Sequence, residues 1–120
     1  MSYINILFGG KDQGFKFNQI AIEIFTSNIN YEAIDTSSIY AIFFAGLSGN
    51  YYAKRKEVDF TFEQVCDWVD ELERALIVKV CNVFAESNAY KEWFKEFSSK
   101  IRQLSEEASA EIAEVKKKIN

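Results

Sequence analysis

Glu63, Asp67 and Glu71 recur at four-residue steps with Asp70 beside them, which places them together on one side of a helix. Carboxylates so spaced can share a divalent cation or act as general acids. Nothing convergent accompanies them, and acids in the first turns of a helix are favoured by its dipole. A solvated acidic face is therefore the expectation. Gly9-Gly10-Lys11-Asp12-Gln13-Gly14 has the composition of a phosphate loop, which requires Gly, four residues, then Gly-Lys-Ser/Thr. Here Asp12 follows Gly10-Lys11 and Asn5 stands where the first Gly belongs, so a turn is expected instead. The chain contains no His, which excludes Cys–His nucleophiles, His bases and mixed Cys/His zinc sites. Of the two cysteines, Cys66 falls on an apolar helical stripe, where a small buried hydrophobe is expected rather than half of a disulfide. No nucleophile, base and orienter come together. The expectation is a non-enzymatic protein without catalytic residues, metal or cofactor.

The elements around these residues are written in local signals. Asp59–Arg74 is the best specified. Thr61 and Gln64 read as a capping box, and Phe60 with Val65 as the hydrophobic staple that sets how the chain enters the helix. Phe62, Val65, Cys66, Val69, Leu72 and Leu76 form its apolar stripe, with Trp68 at the edge. The pattern runs on through Val80, Val83 and Phe84, leaving open one long helix over 59–86 or two with a bend.

Upstream, Tyr3–Phe8, a Gly-rich turn and Phe15-Lys16-Phe17 predict a hairpin over 1–17, which needs a third strand or a helix to pack on. A helical pattern starts at Lys16 or Asn18 and ends near Ser27-Asn28, with Ile20 and Ile24, joined by Phe17 and Ala21, on one face. After the N-cap candidates Asp35-Thr36-Ser37-Ser38, the segment Ile39–Tyr52 is apolar almost all round and predicts a central helix. Its Ala41, Ala45, Ser48 and Gly49 make a ridge that admits a close neighbour, while Gly46 and Gly49 weaken its last turn. The Phe43-Phe44 and Tyr51-Tyr52 pairs fit core better than a ligand pocket. Lys54–Asp59 is a charged loop.

The last helix, capped by Ser87 or Asn88, carries Tyr90, Phe94, Phe97, Ile101, Leu104, Ala108, Ile112, Val115 and Ile119 at three- and four-residue spacing. Such a helix would run roughly 45 Å at 1.5 Å per residue, beyond what the rest of the chain can cover. Its distal half must pair with a partner, fold back or fray. Trp93, Phe94, Phe97, Ile101 and Leu104 are the candidate partner-binding residues, because charged neighbours bracket aromatics there as at an interface rim, with closure of the core an equal alternative for the aromatics.

The whole is expected to be mainly α. A compact helical domain over 1–100 carries a short N-terminal β-hairpin (1–17) and helices over 18–100, and 101–120 form a long, charged amphipathic C-terminal extension. Eleven Phe argue for an aromatic core. The net charge of −4, with Lys116–Lys118 at the very end, leaves few cations for phosphates, so nucleic acid is not an expected partner. The most apolar stretch, Ile39–Leu47, is far short of the roughly 20 residues of a membrane span, and no signal peptide is visible. A soluble, cytoplasmic protein is expected.

Three segments together resemble the tail assembly chaperones of long-tailed phages and prophages. They are Phe15-Lys16-Phe17-Asn18-Gln19 with Ile24-Phe25, the run Tyr40–Asn50 (YAIFFAGLSGN), and Asp59–Asp70 (DFTFEQVCDWVD), the most distinctive of the three. The resemblance implies a small helical protein of the host cytoplasm, absent from the finished virion. It would bind the tape measure protein and recruit tail tube subunits. It assigns no binding residues, and the hairpin and the charged C-terminal helix depart from it. The alternative from the residues alone is a structural adaptor that homo-oligomerises through its C-terminal helix.

Overall fold

The computed structural model describes residues 2–29, 37–100 and 102–103. The chain opens with an antiparallel hairpin, β1 (Tyr3–Phe8) and β2 (Lys11–Lys16), in the register Phe8↔Lys11, Ile6↔Gln13 and Ile4↔Phe15. Its turn is two residues, Gly9 and Gly10, at φ 62° and 83°. Positive φ at both positions matches the right-handed twist of the strands, which is why glycines stand there. The turn is thus shorter than its Gly-rich composition implied, and Lys11–Gly14 belong to the second strand. Gly9 has a second reason to lack a side chain, since a Cβ would sit 2.7 Å from the Trp68 ring.

α1 (Gln19–Asn28) starts at Asn18, whose side chain accepts from the Ala21 N–H at 2.9 Å and donates to the Gly49 carbonyl at 3.2 Å. One side chain therefore caps α1 and ties it to α2 (Ser37–Ala53). That contact needs Gly49, because a Cβ there would come within 2.4 Å of the Lys16 carbonyl oxygen and 3.0 Å of Ala21. The ridge of small residues works as expected, but it admits the corner between β2 and α1. The last turn of α2 does not fray. Arg55 adopts φ 56°, the Lys56 N–H reaches the Tyr51 carbonyl and the Arg55 N–H reaches that of Tyr52, closing a Schellman cap.

α2 is the central helix, with Ala41, Phe43 and every residue from Ala45 to Tyr51 buried. The hairpin packs on it through a triad of rings, Phe8, Phe15 and Phe43, whose centroids lie 5.1 to 5.5 Å apart. Hydrophobic burial of this kind, not the two-stranded ladder, stabilises the hairpin.

α3 (Phe62–Asp70) carries the expected capping box: the Gln64 N–H donates to Thr61 Oγ1 at 3.1 Å, and the Thr61 N–H donates to Gln64 Oε1 at 2.9 Å. Val65 and Val69 are its buried residues, and Phe60 beneath its start packs edge-on against Phe44 and Tyr51. Trp68 meets Phe8 edge-on at 5.6 Å. The open question of one helix or two is answered by a break at Glu71–Glu73, after which α4 (Arg74–Glu86) begins. Both halves lie against α2, but their aromatic partners differ: Trp68 of α3 meets Phe8, whereas Phe84 of α4 meets Phe17 and Phe25. A fifth helix, α5, spans 88–100.

The face of α1 departs in part from expectation: Phe17 and Ala21 lie on it, Ile20 and Ile24 do not. Ala21, Ile22 and Phe25 are buried with Phe17, while Ile20 is 39% exposed and Ile24 half-buried. Phe25, absent from the expected stripe, turns toward Phe84 and Trp93 and draws the helix round with it. Mainly helical architecture with one hairpin is thus as the pattern indicated. The expected extension over 101–120 lies outside the described residues, apart from helical Arg102 and Gln103.

Candidate functional site

Ser87 joins α4 to α5 in extended backbone (φ −68°, ψ 143°), and it is buried. Its hydroxyl donates to the Phe84 carbonyl at 2.6 Å and accepts from the Tyr90 N–H at 3.3 Å, so one side chain ends one helix and caps the next. Of the two expected caps, Ser87 takes the role.

From this corner α5 carries its aromatics on one stripe. Tyr90 lies against Phe84 with ring centroids 4.6 Å apart, and burial pushes its phenol above the ordinary range, keeping it neutral. Trp93 meets Phe25 edge-on at 5.8 Å. These two contacts bind the first turns of α5 to the body. Two four-residue stacks then run outward, Tyr90 on Phe94 at 5.7 Å and Trp93 on Phe97 at 5.0 Å. Phe94 is 49% exposed, and Lys91, Glu92, Lys95, Glu96 and Lys100 form a charged surround in solvent. Trp93, Glu96, Phe97 and Lys100 line one shallow depression.

The five candidate partner-binding residues therefore divide. Trp93, Phe94 and Phe97 stand together, with Trp93 both a core contact and the base of the stack that carries half-buried Phe97. Ile101 and Leu104 lie outside the described residues. Chemically the face offers large, stiff, apolar rings within a mixed-charge rim, the composition of a protein-binding patch.

A second apolar surface escaped the sequence reading. Ile20, Ile24, Phe44 and Tyr52 line an open furrow of about 470 Å³ between α1 and α2. The aromatic pairs on α2 are split accordingly: Phe43 and Tyr51 are core, whereas Phe44 and Tyr52 face the furrow. The misplaced face of α1 concealed it.

The acidic residues Glu63, Asp67 and Glu71 are exposed, and Asp70 accepts a 2.5 Å hydrogen bond from the Tyr40 hydroxyl. That carboxylate holds the Tyr40 phenol above its usual range. Among the described residues, no three acidic or cysteine side chains gather as a metal site would need. Cys66 and Cys81 are free thiols, half-buried rather than sealed, and burial raises both above the ordinary thiol range. No helix among the described residues is long and apolar enough to cross a membrane. No protein-family model, curated protein or solved structure matches this chain.

Proposed function

We propose that this chain is a non-enzymatic tail assembly chaperone of a long-tailed phage or prophage. It would act in the host cytoplasm, outside the mature virion, on the tape measure protein and tail tube subunits. The observation that carries a binding function is the aromatic stripe of α5, which keeps Phe94 half in solvent although the body beside it is well packed. An amphipathic client helix laid along Trp93, Phe94 and Phe97 would bury apolar area on both partners, at about 25 cal/mol per Å². The resemblance of the Phe15–Phe25, Tyr40–Asn50 and Asp59–Asp70 segments to tail assembly chaperones narrows binding to this client class. Association is at equilibrium and needs no nucleotide.

Co-expression with the tape measure protein of the phage or prophage that encodes the chain tests this reading. The client stays soluble and co-purifies only with the chain present. A client that is equally soluble, or equally insoluble, without the chain removes the chaperone assignment. The second reading is homo-oligomerisation through the C-terminal helix, favoured by the apolar spacing Ile112, Val115 and Ile119 beyond α5. Light scattering separates the two: a mass that rises with concentration and falls to the monomer on truncation after Ser99 supports self-association.

A further inference from the structure

Where the hairpin meets the last turn of α2, a partly enclosed pocket of about 180 Å³ opens beside β2. Two amides line it, Gln13 at 6% and Asn50 at 5% exposure. Ordinary packing would give such deeply buried amides protein partners. Neither side chain hydrogen-bonds to another described group, and neither is fully sealed from solvent, so the pocket is where their polar atoms find contact.

Lys11, Lys54 and Lys56 also line the pocket, against Asp12 in the lining and Asp59, which holds the hydroxyl of the lining residue Tyr51. Lys54 and Lys56 belong to a basic run with Arg55 that the Schellman cap holds at the end of α2. The C-terminal end of a helix contributes roughly half a negative charge. The balance at the pocket stays slightly positive, about +0.5, which favours an anion over a neutral or cationic group. Five donor groups, two amides and three ammoniums, outnumber the two oxygens of a carboxylate and suit the acceptor-rich phosphate group. The volume is also below the roughly 300 Å³ at which sites for drug-sized ligands begin.

We propose that this pocket is a phosphate-sized oxyanion site, with the Gln13 and Asn50 amides donating N–H groups and Lys11, Lys54 and Lys56 supplying the charge. It is not a phosphate loop: Gly9 and Gly10 are taken up by the turn, and the donors are side chains that only the fold brings together. The ligand is free phosphate or the end group of a small phosphate monoester whose remainder stays outside.

Titration of the full chain with inorganic phosphate at low salt, followed by amide NMR, tests the site. Saturable shifts confined to 11–14 and 50–56 are expected, with acetate at equal ionic strength giving none. Glycerol phosphate distinguishes the sources: equal affinity assigns an end-group site, and much weaker binding assigns the free ion, both within the proposal. Gln13→Leu weakens binding about tenfold or more, the usual worth of a hydrogen bond to a charged group. The exposed pair Lys54→Ala/Lys56→Ala does likewise, and its unchanged melting temperature shows that the fold is kept. Unsaturable shifts spread over Lys79, Lys91 and Lys95 would mean an adventitious ion only. That result, or wild-type affinity in both variants, overturns the proposal.

Discussion

Two groups of aromatic rings in this molecule have opposite fates. Phe8, Phe15 and Phe43 come from three places in the chain, the two strands and α2, and are sealed against one another. Tyr90, Trp93, Phe94 and Phe97 come from one helix and stack largely on their own four-residue neighbours. Rings that meet across the fold hold it together. Rings stacked along one helix join the body chiefly through Tyr90 and Trp93, and Phe94 among them stays half in solvent.

The comparison is broken most severely at Phe43. Phe43→Ala opens a cavity at the centre of the sealed triad and costs about 3–5 kcal/mol, read as a large drop in the urea midpoint. Gly9→Ala attacks the same region from its rim. The left-handed backbone alone costs about 1–2 kcal/mol. The added methyl also presses on Trp68, which packs on Phe8. A smaller loss, about 1 kcal/mol, follows from Thr61→Ala, which deletes the hydroxyl that caps α3. Phe94→Ala is as mild: it loses a half-exposed ring and its stack on Tyr90, about 0.5–1.5 kcal/mol, so its urea midpoint stays far nearer the wild type than that of Phe43→Ala. A Phe94→Ala variant as damaged as Phe43→Ala would erase the distinction between the two groups.

What could be read beforehand was what local chemistry decides. The Thr61–Gln64 box, the central position of α2, the hairpin and the cap at Ser87 each depend on residues within a few positions of one another. The break at Glu71–Glu73 was not legible, because no Gly or Pro marks it; it follows from the different neighbours that claim Trp68 and Phe84. The face of α1 was misjudged for a related reason. Ile20 and Ile24 satisfy a helical period as well as Phe25 does, and only the positions of Phe84 and Trp93 decide between them. The polar pocket was invisible in principle. Gln13 and Asn50 are unremarkable in a strand and a helix, and their meeting is a property of the packing. At the candidate interface, the spacing of Trp93, Phe94 and Phe97 was legible, as was core closure as one role for Trp93, but its partner Phe25 was not.

The central claim is that α5 presents a binding face that the fold does not need. Its most direct test is the solubility of the co-expressed helix-rich client with the wild-type chain or with Phe94→Asp, alongside the far-ultraviolet spectrum and urea midpoint of each. The account predicts that the variant keeps its helical spectrum, with a midpoint close to that of the wild type, while the client moves to the insoluble fraction. A folded variant that still keeps the client soluble would contradict it.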